Sequence, residues 1–100
     1  NALEALDRRE VGDGVFLRFT RDPNPRVRAN VARALIHRGR DEGRQVLEQM
    51  LSGDEAERIS GLWAFSRTHP EGFSRTAQML AEQDPSQRVR QKAAELLATA

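Results

Sequence analysis

The sequence predicts an all-α protein, an α-α superhelix built as a short α-solenoid of about three helix pairs. Apolar residues recur at helical spacing along the chain, and no stretch alternates as a half-buried strand does. Residues 22–35 and 84–97 also repeat one another, with Asp, Pro, Arg, Val and Arg at the same spacing and a displacement of 62 positions. Two steps of 31 account for that displacement, and a period of roughly 20 to 50 residues is typical of stacked repeat units.

The first predicted unit covers residues of about 10–38, after a leading segment, residues 1–9, that reads as a remnant of a preceding unit. Its first helix is marked by apolar residues: Val15, Phe16 and Phe19. The second helix is expected to begin at Asp22 as the cap, because prolines at the opening turn lose no hydrogen bond there. One face of this helix is apolar and Gly39 ends it; that face consists of Val27, Val31, Ala34 and Leu35.

The second unit is predicted over about 41–67 and the third over about 70–99. In the second unit, a helix opening at Asp41 or Glu42 is followed by another that runs from Asp54 to about Arg67. The buried stripes of these helices are Val46, Leu47, Met50 and Leu51, then Ile59, Leu62, Trp63 and Phe65. The third unit has a helix marked by Phe73, Ala77 and Leu80, then a final helix from Pro85 to about Ala98.

Length and composition bound the function. One hundred residues with 38% hydrophobic and 5% aromatic content form a single domain, 1–100, with a core of Leu, Val, Ala and Ile. We expect a fragment of a longer chain, without a signal peptide or membrane span, in the cytoplasm. No cysteine is present, which excludes disulfide and thiolate chemistry. A net charge of +1 gives no global field toward nucleic acid or membrane.

The pattern Asp-Pro-x-x-x-Val-Arg-x-x-(small)-Ala-x-x-Leu, present at 22–35 and 84–97, resembles the HEAT repeat. The short period is similar to the HEAT-like repeats of phycobilisome lyases, and residues 39–51 resemble the linker and first helix of that family. The resemblance covers about residues 10–100 and implies a helical repeat fold. Members of the family act as interaction scaffolds, as bilin lyase subunits and, in distant relatives, as binders of damaged DNA; the scaffold role is the one shared widely.

The middle copy departs from the pattern. It reads Glu57-Arg58-Ile59 where the other copies read Arg-Val-Arg. A displacement of 31 aligns Arg58 with Val27, and a displacement of 32 aligns Ile59 with Val27. On either alignment the repeated arginine is missing from this unit. With the displacement of 31, an outward stripe is expected that consists of Glu57, Gly61, Ala64 and Thr68.

The repeated arginines lie at the margin of the apolar arc. We expect each guanidinium to span the junction between units and to pair with an aspartate at a helix start, because a buried charge requires a partner. This predicted structural ladder consists of Asp22, Arg28, Asp54, Asp84 and Arg90. The alternative is that these arginines bind an anion.

A basic stripe is the candidate binding surface. In the helix predicted after Asp22, one side carries four residues spaced 4, 3 and 4 apart: Arg26, Asn30, Arg33 and His37. No Asp or Glu occurs between positions 23 and 40. In the resembling family the second helix of each pair lines the concave face, which implies a partner surface here. The predicted partner-binding residues are Arg26, Asn30, Arg33, His37, Gly61, Ala64, Arg88 and Lys92. The alternatives are a solvated helix face and an arginine excess that reflects genomic composition.

The sequence offers no catalytic constellation. The serines lack a Gly-x-Ser-x-Gly context, no glycine-rich phosphate loop is present, and His37 and His69 have no companion at metal-ligand spacing. We therefore predict no enzyme, no cofactor and no metal.

Trp63 is interpreted as a core residue rather than an exposed stacking platform, because it lies four positions from Ile59.

The predicted function is a protein interaction scaffold that binds an acidic or amphipathic segment on the concave face. The alternatives are nucleic-acid binding through the same basic stripe and an accessory role in a bilin-lyase-like enzyme. Protein binding and nucleic-acid binding are both inferred from the shape and charge of one rigid face. The bilin-lyase role is inferred from the resemblance alone.

Overall fold

The computed structural model describes residues 12–99, and every regular element within them is helical. The all-α prediction is confirmed for this part of the chain. Six helices follow one another: α1 (Asp13–Leu17), α2 (Pro25–His37), α3 (Asp41–Leu51), α4 (Glu55–Thr68), α5 (Ser74–Gln83) and α6 (Gln87–Thr99). The interpretation of residues 1–9 as a remnant of a preceding unit lies outside the described residues.

Local capping fixes where the second helix of each pair begins. The cap of α2 is Asn24, whose side chain accepts a hydrogen bond from the Arg26 amide, with Pro25 in the first turn. The prediction that Asp22 caps this helix is wrong: Asp22 Oδ1 instead accepts from the Asn24 amide at 2.9 Å and forms the turn before the helix. Asp54 and Glu57 form a reciprocal capping box at the start of α4.

Left-handed backbone conformations follow α2 and α4. Gly39 has φ of 73° after α2, a conformation that glycine adopts without steric cost. His69 ends α4 with φ of 45°, and its amide donates to the Phe65 carbonyl. After Gly39 the chain turns so that α3 packs against α2, whereas α5, which follows the turn at His69, packs on α6.

The helices pack in pairs, and the second helices also contact one another. Helix α2 packs on α1, α3 and α4, while α4 packs on α3 and α6, and α5 packs on α6. Small residues permit this approach: a Cβ on Gly43 would lie 2.7 Å from the Ile36 amide nitrogen and 2.8 Å from Leu35 Cβ. The core is built from alanine, leucine, valine, methionine and phenylalanine side chains of α2 to α6.

Helix α1 is short and is held by one aromatic ring and by ion pairs. Phe16 is fully buried with Val31, Ala34 and Leu35 of α2. The Arg38 guanidinium lies 4.9 Å from the centre of the Phe16 ring and donates to Asp13 at 3.0 Å. Cation and ring together attach α1 to the end of α2.

The second helices are related by steps of 30 and 32 residues rather than by two steps of 31. The amides of Arg28, Arg58 and Arg90 each donate the first i→i−4 hydrogen bond, to the carbonyls of Asn24, Asp54 and Ser86. Arg58 is therefore the middle member of the arginine series, and the prediction that the middle unit lacks this arginine is wrong. The steps are unequal because the loop after α4, residues 69–73, is longer than the loop after α2, residues 38–40.

Candidate binding groove

A groove of about 450 Å³ lies where α4 meets α6, with one residue of α2 at its rim. Its floor is apolar and its walls are polar. The floor residues are Ile59, Leu62, Trp63 and Leu96, and the polar lining consists of Arg26, Ser66, Arg88, Lys92, Glu95 and Thr99. A volume of this size is within the range of ligand pockets.

Trp63 is the central feature of this groove. Its ring packs against the core and is only partly buried, so one side of the indole faces the groove. The guanidinium carbons of Arg26 and Arg67 lie 5.8 Å and 5.7 Å from the ring centre. Both distances are within the range of cation–π attraction. Trp63 therefore has the predicted contact with the core and is also partly exposed in the groove.

The groove carries an excess of positive charge. Arg26, Arg88 and Lys92 are exposed and line it, against a single carboxylate, that of Glu95. Among the described residues none of these three cations forms an ion pair, whereas Arg28 and Arg58 do. Their charges are thus available to a bound anion or acidic side chain.

Three of the predicted partner-binding residues are buried rather than exposed. Asn30 is 1% exposed and its Nδ2 donates to the Arg26 carbonyl at 3.0 Å. Ala64 is fully buried, and a Cβ on Gly61 would lie 3.1 Å from Met50 Cβ and from Leu51 Cδ2. The predicted outward stripe is wrong at Gly61 and Ala64, because both are buried and Met50 and Leu51 of α3 lie against Gly61.

Arg33 and His37 also lie away from the groove. Arg33 is partly buried rather than exposed, and it does not line the cavity. His37 is exposed, with its Nε2 at 3.2 Å from the Arg67 carbonyl oxygen. The stripe predicted on α2 is therefore split, and only Arg26 reaches the groove.

Ion pairs join successive units, with partners that differ in part from the prediction. Arg28 Nη1 donates to Glu57 Oε2 at 2.8 Å, not to an aspartate. Asp54 is engaged in the capping box instead, since it accepts from the Glu57 amide. The position that corresponds to Asp22 and Asp84 in the middle unit is Ser52, which has no charge to offer.

The Arg58–Asp84 pair is the most buried of these contacts. Arg58 Nε and Nη2 donate to both carboxylate oxygens of Asp84, at 2.7 Å and 3.0 Å. The Asp84 side chain is 2% exposed, and its Oδ1 also accepts from the Ser86 amide at 2.9 Å. Arg90 Nη1 donates to the Asp84 backbone carbonyl within its own unit. Asp84 therefore binds Arg58 and the Ser86 amide through its carboxylate and binds Arg90 through its backbone carbonyl.

These contacts lower two carboxyl pKa values. Burial raises the pKa of Asp84, but the hydrogen bonds from Arg58 and the Ser86 amide, with the charges of Arg58 and Arg90, outweigh it and bring the pKa below its usual value. The pKa of Glu57 is lowered first by the Asp54 amide and then by the hydrogen bond from Arg28. Both groups are therefore carboxylates at neutral pH.

Several polar groove residues are not predicted from the sequence: Ser66, Glu95 and Thr99. Ser66 and Arg67 follow Trp63 by three and four positions, which places polar residues beside it on the helix surface. That spacing is a usable signal for partial exposure of the indole. Glu95 and Thr99 gave no such signal, since any helix face contains scattered polar residues.

Within residues 12–99, no group of three or more His, Cys, Asp or Glu side chains is placed to hold a metal ion. None of the helices described here combines the length and apolar character needed to cross a membrane. Comparison of the chain with protein-family models, with curated proteins and with solved structures finds no match.

Proposed function

We propose that this chain is a short α-solenoid of HEAT-like helix pairs that binds an acidic, amphipathic protein segment in the groove around Trp63. The contacts of α2 with α4 and of α4 with α6 support a stacked arrangement, in which the second helices share one surface. The equivalent arginines at the start of these three helices support the same arrangement.

One observation carries the binding proposal: Arg26, Arg88 and Lys92 surround a partly exposed Trp63 in a groove of about 450 Å³. Carboxylates form strong, charge-assisted hydrogen bonds with guanidinium and ammonium groups. Tryptophan and arginine are the residues most enriched among binding hot spots. A helix with Asp or Glu on one side and Leu or Phe on the other matches both the walls and the floor.

The groove is set on helices rather than on loops. Trp63 lies in α4, and Arg88 and Lys92 lie one turn apart in α6. The two helices pack on one another, so their separation is fixed before a partner arrives. A preformed site loses little conformational entropy on binding, which allows a few contacts to give useful affinity.

The test uses designed peptides, with Trp63 as the reporter, because it is the single tryptophan of the chain and no tyrosine is present. An amphipathic helical peptide with Glu on its polar face is titrated against the protein, and tryptophan emission is followed. A matched peptide with Lys in place of every Glu is the control. The acidic peptide is expected to bind at least about tenfold more tightly, since each charge pair contributes about 1 kcal/mol or more.

Protein variants assign the binding to the groove. Lys92→Glu and Arg88→Glu are expected to weaken binding of the acidic peptide by about tenfold each. Arg75→Glu is the matched control, because Arg75 is exposed on α5 and does not line the groove. Equal affinity for both peptides, or groove variants that bind like Arg75→Glu, would refute the proposal.

Nucleic-acid binding is the second candidate, and the pair of arginines beside Trp63 favours it, since indole rings stack on bases of single strands. Glu95 in the same groove opposes it by repelling phosphate. Titration with a single-stranded oligonucleotide at several salt concentrations separates the two: phosphate contacts give an affinity that falls steeply with salt. The bilin-lyase alternative stays a prediction from resemblance.

A further inference from the structure

Helices α2, α4 and α6 have one equivalent face each, formed by residues at matching positions after the cap. Counted from the caps, the fourth, eighth and eleventh positions are Arg28, Ala32 and Leu35 in α2, Arg58, Leu62 and Phe65 in α4, and Arg90, Ala94 and Leu97 in α6. In α2 and α4 this face is covered by the next helix pair. Gly43 of α3 packs on Ala32 and Leu35, and the ring of Phe65 meets that of Phe73 at 6.5 Å.

On α6 the same face is open. Ala94 is exposed and Leu97 is only partly buried, whereas their counterparts Leu62 and Phe65 in α4 are each 3% exposed. The face therefore presents an Ala-Leu stripe of the kind that receives a helix pair elsewhere in this chain.

Arg90 occupies the position of Arg58 on its helix but makes one side-chain hydrogen bond where Arg58 makes three. In Arg58, Nη1 donates to the Gly53 carbonyl, while Nε and Nη2 hold the Asp84 carboxylate of the next unit. In Arg90, Nη1 also donates to a backbone carbonyl before the helix, that of Asp84, which lies one position further from Arg90 than Gly53 lies from Arg58. The Nε and Nη2 atoms of Arg90 form no hydrogen bond among residues 12–99. They can therefore donate to a carboxylate as Arg58 does to Asp84.

The matching carboxylate is present at the other end of the chain. Asp22 corresponds to Asp84: each precedes a proline, and each accepts through Oδ1 from the amide two positions later, at 2.9 Å. Asp84 receives Arg58 from the preceding unit, whereas Asp22 pairs with no cation in the described part of the chain. Within residues 12–99, Arg90 thus has two guanidinium donors without an acceptor, and Asp22 is a carboxylate of matching local geometry without a cation.

We propose that two copies of this chain associate head to tail, with Arg90 of one copy on Asp22 of the next and the Ala94-Leu97 stripe covered by that second copy. The contact reproduces the Arg58–Asp84 junction between molecules. Since the two faces differ, the interface is heterologous, and each added copy presents a new open end. The chain therefore forms species larger than a dimer as its concentration rises.

Sedimentation velocity of the whole chain, from about 10 μM to about 1 mM, tests this, a range in which modest interfaces become populated. The mean mass is expected to rise above the 11.3 kDa of one chain. Ala94→Glu blocks the arginine-bearing face at an exposed site, and Asp22→Lys blocks the carboxylate face. Asp22→Asn is a second variant, which removes the charge and keeps the Oδ1 acceptor for the Asn24 amide. Circular dichroism verifies that each variant is folded.

The decisive sample is a mixture. Ala94→Glu and Asp22→Lys are each expected to be monomeric alone, yet a 1:1 mixture retains one intact pair of faces and gives a dimer of twice 11.3 kDa that grows no further. Glu48→Lys, on the exposed side of α3 in the middle pair, is the matched control and behaves as the original chain. A mass that stays at one chain throughout, blocked variants that associate like the control, or a mixture without a dimer would each overturn the proposal.

Discussion

Removal of Arg58 tests the junction between the second and third helix pairs most directly. Arg58→Met retains the length of the side chain and leaves the Asp84 carboxylate, 2% exposed, with the Ser86 amide as its remaining donor. Removing one member of a buried ion pair costs about 3 to 5 kcal/mol. We expect the lower end, about 3 kcal/mol, because the Arg58 side chain is 16% exposed and water can reach the space it leaves.

The assay is urea unfolding followed by circular dichroism at pH 7. With a denaturant slope of about 1 to 3 kcal/mol per molar, a loss of about 3 kcal/mol lowers the midpoint by about 1 to 3 M. The matched control is Arg75→Met, an exposed arginine of α5 that is expected to change stability by less than about 0.5 kcal/mol.

A double-mutant cycle assigns the loss to the pair itself. Asp84→Asn keeps the Oδ1 acceptor for Ser86 and removes the charge, so that Arg58 loses its carboxylate but not its Gly53 partner. The double variant is expected to be more stable than the sum of the single losses predicts, by about 1 to 2 kcal/mol. A midpoint for Arg58→Met equal to that of Arg75→Met, or strictly additive losses, would refute this account of the junction.

Three further predictions concern packing, the groove and pH. Gly43→Ala is expected to destabilise the chain by about 1 to 3 kcal/mol, because its Cβ would meet backbone atoms of α2. Gly14→Ala, whose Cβ would have no atom within 4 Å, is expected to stabilise the chain by up to about 1 kcal/mol. Thermal melts compare the two variants. Trp63→Ala is expected to cost about 1 to 3 kcal/mol in urea unfolding, less than a fully buried tryptophan, and a loss above about 4 kcal/mol would contradict its partial exposure. The pKa values of Asp84 and Glu57 are lowered in the folded chain, so these carboxylates are protonated more readily in the unfolded chain. Their contribution to stability is therefore expected to be full above about pH 4.5 and to be lost as the pH falls through the folded-state pKa values. Thermal melts between pH 2 and 7 that show no such fall would contradict the pairing.

The sequence by itself determined the helices and the repetition. Periodicity and capping are local properties, so Asp54, Gly39 and the apolar stripes marked where helices begin, end and face inward. The arginine series was visible for Arg28 and Arg90 for the same reason. The start of α2 was misassigned by two positions, because Asp22 and Asn24 are both suitable caps and only the backbone geometry distinguishes them.

The tertiary structure decided which residues are exposed and which units correspond. Asn30, Gly61 and Ala64 lie on polar or small-residue stripes of their helices, yet all three are buried, because burial depends on what packs over a stripe and no local pattern shows that. The steps of 30 and 32 were hidden for a related reason: loops of unequal length are compensated in space, not along the chain. Trp63 was assignable to the core from its spacing, but only the gap between α4 and α6 leaves one side of its ring open, and that gap makes the groove.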